Sequence, residues 1–305
     1  MPDPFPVPDV LSQLVLQNPP RSAADMRRLI DGFASFINAD LPEVGAFHEG
    51  VSIGGGVTAD VVVPKAAGPH PVVVYLHGGG WICGSARTHR KLGFRLAEAG
   101  FLVLNVDYRL APEHPFPTPF DDCVAALRFA RREAARWGGD PARIAVAGDS
   151  AGGNLAAAAS AALADDPARP KAALLIYGVF DFAKFGESSI PGIPADGPLA
   201  DLGRNMIELM VGSYLGARSS ERLTADPRVS PLHSADRLPP THVVVGSADP
   251  LAAQAEALVK SLSRAGVRHE YFVDAGMPHG YFQMEFLAPA RPAIERAIGF
   301  LRKHV

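Results

Sequence analysis

Gly148-Asp149-Ser150-Ala151-Gly152 sets a serine at the centre of a Gly-x-Ser-x-Gly run. Ahead of it, Arg143-Ile144-Ala145-Val146-Ala147 is the short apolar run that a buried parallel strand makes. Behind it, Asn154 to Ala164 is almost all Ala and Leu, which are strong helix formers. A sharp strand-to-helix turn forces its central residue into a strained backbone and lifts that side chain clear of the sheet. Gly148 and Gly152 remove the side chains that would collide where strand and helix close on each other. The start of the helix adds amide donors and positive potential beside Ser150. Ser150 therefore reads as a nucleophile, and that reading requires a base, an acid and an oxyanion site elsewhere in the chain.

Each of these has a candidate. The apolar run Val72-Val73-Val74-Tyr75-Leu76 leads straight into His77-Gly78-Gly79-Gly80-Trp81. Three consecutive glycines leave the backbone free to turn its N–H groups toward one point, which makes an oxyanion site without side chains. His77, leaving the strand end, reads as a brace for that loop. Asp249 follows the strand-like His242–Gly246, and His279 lies in a loop between Pro278 and Gly280. A serine hydroxyl is a poor nucleophile at neutral pH and needs an imidazole to take its proton. The imidazole needs a carboxylate to fix its tautomer and steady the imidazolium that forms. The order Ser150, Asp249, His279 is the α/β-hydrolase order, and each residue follows an apolar run, where open α/β sheets bind their ligands.

The elements that must hold these residues alternate along the chain. Strands are expected near residues 46–53, 57–63, 72–76, 101–108, 143–147, 172–177, 242–246 and 269–273, and helices near 120–137, 154–164, 250–265 and 292–304. Buried strands alternating with helices predict a mostly parallel sheet covered on both faces. Ser22 opens a further helix whose Met26, Leu29, Ile30, Phe33, Phe36 and Ile37 share one face, either docked on the core or lining a pocket. The proline-fixed loop Arg109–Pro117 reads as a brace under the site. From about Ala183 to Arg222 the chain becomes rich in Gly, Pro, Met and Phe, with a helical piece around Leu202–Leu215, and reads as an insertion. Phe185, Met206, Met210 and Tyr214 there read either as ligand-facing or as core.

Bulk properties narrow the function. With 305 residues, 48% hydrophobic and 20% charged, the chain can bury a large core. A net charge of −3 with scattered Lys and Arg gives no footprint for nucleic acid or an anionic membrane. Cys83 and Cys123 form no Cys-x-x-Cys and no disulfide framework, and read as buried hydrophobes in a reducing compartment. No basic leader or apolar run of about 20 residues is present, so a cytoplasmic protein is expected.

Taken together, His77-Gly78-Gly79-Gly80-Trp81, Asp107-Tyr108-Arg109-Leu110-Ala111-Pro112-Glu113, Gly148–Asn154, Asp249-Pro250-Leu251 and His279-Gly280 resemble the bacterial hormone-sensitive-lipase-like (family IV) carboxylesterases. The resemblance runs from about residue 40 to the end. It implies an α/β-hydrolase fold, with a mostly parallel central sheet flanked by helices and a helical cap. Residues 1–45 would be the N-terminal cap segment and 183–222 the cap insertion, with 46–182 and 223–305 as the catalytic domain. By match to the family, Ser150 is the nucleophile, Asp249 the acid and His279 the base. Gly79, Gly80 and Ala151 would supply the oxyanion N–H groups, with Gly78 as the hinge. The implied activity is a serine carboxylesterase acting on short-chain acyl esters through an acyl-enzyme, with no cofactor and no metal. The substrate would be a small-molecule ester, and the resemblance points to a homodimer through the final strand and helix. Gly178 stands where members often carry proline, which predicts a looser turn at Phe180-Asp181-Phe182. Rival readings are a binding-only member like the plant gibberellin receptors, an amidase or peptidase, and a true lipase. The first is disfavoured by His279, the second by the harder leaving group, and the third by the lack of an amphipathic lid. Metal-dependent hydrolysis lacks the His-x-x-x-His or Cys-x-x-Cys spacing it would need.

Overall fold

The computed structural model describes residues 17–187, 196–216 and 221–305. One sheet carries β1 (Ala46–Gly54), β2 (Val57–Val63), β3 (His70–Leu76), β4 (Leu102–Asp107), β5 (Gly139–Asp149), β6 (Ala172–Ile176), β7 (Thr241–Gly246) and β8 (His269–Asp274). Their spatial order is β1-β2-β4-β3-β5-β6-β7-β8. β2 pairs antiparallel with β1 and with β4, while each pair from β4 across to β8 is parallel. The expected mostly parallel sheet is thus present.

Helices cover it: α1 (Ala23–Ile37), α2 (Arg90–Glu98), α3 (Thr118–Glu133), α4 (Ala151–Ala162), α5 (Pro198–Leu215), the single turn α6 (Glu221–Thr224), α7 (Ala252–Arg264) and α8 (Ala290–His304). The central strands are buried, with Val72, Val73, Val74, Tyr75 and Leu76 of β3 inaccessible to solvent. That explains their unbroken apolar runs, since a parallel sheet loses solvent on both faces.

From β3 the chain moves to one side to form β4, then crosses back over β3 to form β5. The sheet therefore reverses direction between β3 and β5, and ligands bind at such a switch point. The glycine loop leaves β3 and the Ser150 turn leaves β5, so both overlook that crevice.

Two local differences from the sequence expectation have physical causes. β5 starts at Gly139 instead of Arg143, because Gly139 already pairs with His70. The helix expected to run to residue 137 ends at Glu133 and continues as a 3-10 turn at Ala134–Trp137, which Gly138 caps in a left-handed conformation (φ 76°). On α1, Ser22 caps the first turn by accepting from Asp25 N at 3.1 Å. The apolar face of that helix is only partly docked, and Phe36 is 63% exposed, against Phe286.

Candidate active site

The turn between β5 and α4 is as tight as its glycines require. Ser150 has φ 54° and ψ −119°, a left-handed backbone that a side chain rarely adopts. Its N–H is held by Ile176 O at 2.9 Å. A Cβ at Gly152 would stand 1.9 Å from the carbonyl oxygen of Leu76, so α4 lies directly on the end of β3.

Loops from β7 and β8 converge on the same spot. His279 Nε2 lies 2.9 Å from Ser150 Oγ, and His279 Nδ1 lies 2.9 Å from Asp249 Oδ2. In the neutral tautomer this network calls for, Nδ1–H donates to the carboxylate and Nε2 accepts the serine hydroxyl. The Asp249 side chain is wholly buried and its other oxygen accepts Leu251 N at 2.7 Å, while the imidazole keeps 36% exposure. Burial works against the imidazolium of His279. The charge and hydrogen bond of Asp249 outweigh it, with help from Asp149, and hold the pKa above the ordinary 6.5.

The glycine loop faces this relay. Gly79, at φ 122°, accepts at its carbonyl from Ile82 N (3.1 Å) and Cys83 N (3.0 Å), closing a turn. The N–H groups of Gly79, Gly80 and Ala151 donate to no protein acceptor among the described residues. They are therefore available to a developing negative charge. His77 takes the bracing position: its ring stacks on Tyr108 with centroids 4.3 Å apart, and Nδ1–H donates to Gly78 O at 2.8 Å. Complete burial pushes its pKa down to about 3, which keeps it neutral.

Asp149, the variable residue of the Gly-x-Ser-x-Gly run, carries weight that the motif does not announce. Its Oδ1 accepts Tyr75 OH at 2.6 Å and Gly78 N at 3.0 Å, and its Oδ2 lies 3.4 Å from His89 Nε2. One buried carboxylate thus fastens the glycine loop to the serine turn. Burial would raise its pKa, but His89 and the hydrogen bonds from His89 and Tyr75 bring it below the usual value. The only signal in the sequence would have been strand register, since Leu76 pairs with Gly148 and so brings Gly78 beside Asp149.

The four insertion residues divide. Tyr214 and Phe185 are core: the Tyr214 ring stacks on Trp81 at 4.7 Å, and Phe185 packs edge-on to it at 6.1 Å. Met206 is partly buried against that core. Met210 lies over the glycine loop, where a Cβ on Gly80 would come within 2.0 Å of its sulfur. Away from these residues, a cleft of about 410 Å³ opens between Pro19-Pro20-Arg21 and the Pro198, Asp201, Leu202, Asn205 and Leu209 face of α5, and none of the triad or glycine-loop residues lines it. The looser turn expected at Gly178 is not found. Asn154 Nδ2 holds Val179 O at 2.8 Å, and Gln254 Oε1 accepts both Phe180 N (2.7 Å) and Asp181 N (2.9 Å).

Residues 73–283 match the family described as alpha/beta hydrolase fold. Carboxylesterase NlhH of Mycobacterium tuberculosis is 39% identical over 226 residues, covering 72% of this chain and 69% of that one. Ethyl acetate hydrolase of Pseudomonas putida is 34% identical over 248 residues, covering 79% of this chain and 75% of that one. Among solved structures, an ester hydrolase from the metagenome of Lake Arreo, complexed with a derivative of bipyridine phosphonate, superposes with a TM-score of 0.87. It is 31% identical, with 100% of this chain and 98% of that chain covered.

Proposed function

Because the chain belongs to the hormone-sensitive-lipase-like carboxylesterases of the α/β-hydrolase superfamily and is a carboxylic ester hydrolase, we propose that it cleaves short-chain acyl esters through Ser150, His279 and Asp249. In this mechanism Ser150 Oγ attacks the ester carbonyl carbon while His279 Nε2 takes the hydroxyl proton. The carbonyl oxygen becomes an oxyanion that accepts from the N–H groups of Gly79, Gly80 and Ala151. Collapse of the tetrahedral intermediate breaks the bond to the alcohol oxygen, which leaves with the proton from His279. Water, deprotonated by the same imidazole, then attacks the acyl-enzyme and releases the acid and Ser150.

The observation that carries this reading is the unbroken relay of two 2.9 Å contacts from Ser150 Oγ through His279 to Asp249, facing three unengaged backbone donors. Residues 1–45 and 183–222 are read as the cap over this site, of which 1–16, 188–195 and 217–220 lie outside the described residues. Met210 over Gly80 supports a short acyl chain, because it fills space directly above the loop.

Hydrolysis of p-nitrophenyl esters from acetate to palmitate, with Ser150→Ala run beside the parent, tests the proposal. The expected result is a maximum at short chains and a loss of several orders of magnitude in the variant. Equal cleavage by both proteins would refute the assignment of Ser150.

A further inference from the structure

Arg27, on α1, reaches the strip of backbone that continues the glycine loop. Its Nε donates to Ile82 O at 2.8 Å and its Nη2 to Ala111 O at 3.0 Å. The same guanidinium engages both carboxylate oxygens of Glu113, at 2.9 and 2.6 Å. Ile82 and Ala111 are inaccessible to solvent, and Ala111 N donates to Trp81 O at 2.9 Å, which joins the two loops that Arg27 spans. Among the described residues no other donor reaches either carbonyl.

The chain of contacts then runs into the site. Ile82 donates its N–H to Gly79 O at 3.1 Å, so the residue whose carbonyl Arg27 holds also closes the turn that presents Gly79 and Gly80. The ion pair itself contributes little, because the Arg27 side chain is 31% and the Glu113 side chain 55% exposed. The bonds that matter are the charge-assisted ones to buried carbonyls, with Glu113 fixing the plane of the fork. α1 is also tied down at its other end. Asn38 Nδ2 donates to Arg87 O at 2.8 Å, Lys91 N to Asn38 Oδ1 at 2.9 Å, and Arg87 pairs with Asp31 at 2.8 Å. Losing Arg27 therefore frees the Ile82 and Ala111 carbonyls while the helix stays docked.

We propose that Arg27 is a positioning residue for ester hydrolysis, fixing Trp81-Ile82-Cys83 and through it the aim of the Gly79 and Gly80 N–H groups. The inference rests on the reading of those two groups as oxyanion donors. Donors of this kind lower the barrier only if they are already oriented when charge develops. A loosened turn must be reordered in the transition state, so kcat falls while substrate binding is spared.

The test compares Arg27→Ala, Arg27→Lys and Glu113→Gln for kcat and KM on p-nitrophenyl butyrate. It adds the affinity of each for an alkyl trifluoromethyl ketone, which adds to a serine hydroxyl and leaves an oxyanion. Arg27→Ala is expected to lose roughly tenfold or more in kcat with KM little changed, short of the ~10²–10³ cost of deleting a donor. Its affinity for the ketone should fall by the same factor as kcat/KM. Arg27→Lys, which keeps a donor for the Ile82 carbonyl, should recover part of the loss. Glu113→Gln, which leaves the carbonyl bonds, should lose less than Arg27→Ala. Full kcat in Arg27→Ala overturns the proposal, as does an equal loss in Glu113→Gln. If Arg27→Ala does not fold, a larger kcat loss in Arg27→Lys than in Glu113→Gln supports the proposal, and a loss in Arg27→Lys no larger than in Glu113→Gln overturns it. An active Ser150→Ala would overturn the triad reading instead, whereas an inactive Ser150→Ala beside a fully active Arg27→Ala overturns the positioning role alone.

Discussion

Asp249 and Asp149 are two buried carboxylates that both raise the pKa of His279, and they do different work. Asp249 bonds His279 directly and is the main influence holding its pKa above 6.5 against burial. Only the neutral imidazole can accept the Ser150 proton, so kcat/KM should rise with pH through an apparent pKa above 6.5. In Asp249→Asn burial is left to dominate, so the acid limb moves to lower pH while kcat drops by about 10⁴. A pH–rate profile reads both, and an acid limb that stays in place would reject this role. Asp149 acts on the backbone instead, holding Gly78 N at 3.0 Å and Tyr75 OH at 2.6 Å. Asp149→Ala strands both donors in the core beside His89, and should destabilise the fold by roughly 3–5 kcal/mol. Thermal melting measures it, and a melting temperature equal to the parent's would show that the loop is held by other means.

At the scale of elements, α4 and α5 reach the site under different constraints. α4 is buried along nearly its whole length, and its Ala-rich sequence follows from lying against strand ends where Gly152 has no room for a Cβ. α5 is tethered by Tyr214, whose ring stacks on Trp81 and whose carbonyl accepts Phe116 N at 2.8 Å. One turn earlier, Met210 closes the space above Gly80. Met210→Ala should therefore raise the rate on bulkier acyl esters relative to acetate, with little loss of stability at a partly buried position. Tyr214→Ala should instead cost about 3–5 kcal/mol, since it removes a fully buried aromatic ring. Acyl-chain profiles and melting curves of the two variants separate the roles. An unchanged profile for Met210→Ala would mean that the substrate passes elsewhere.

Across the whole molecule, the reversal of strand order between β3 and β5 is what turns distant motifs into one site, because β3, β5, β7 and β8 all end on the same edge. One buried histidine of β7 makes stability depend on pH. His242 of β7 is buried between Phe272 and Phe300, neither ring nitrogen makes a hydrogen bond among the described residues, and Nδ1 stands 3.5 Å from Glu270, with Asp274 and Arg296 nearby. Burial pushes its pKa down to about 4 from 6.5. The unfolded chain takes up a proton there before the folded one does, so this part of the stability is intact above 6.5 and falls as pH drops toward 4. In His242→Leu the melting temperature should fall less between about pH 7.5 and about pH 5 than in the parent. An identical fall would place the acid sensitivity elsewhere. What the sequence by itself determined is the set of local events. Apolar runs make buried strands, Gly148 and Gly152 force the turn that exposes Ser150, and three glycines after β3 free backbone donors. Each of these depends on residues within a few positions of one another. What only the tertiary structure decided is who meets whom across the sheet. Asp149 reaches Gly78 through the pairing of β3 with β5, Met210 rather than Tyr214 faces the glycine loop, and Arg27 finds Ile82 from a helix 55 residues away. Those contacts follow from register and helix packing, which local propensity does not encode, because many sequences with the same periodicity would pack with different side chains turned inward.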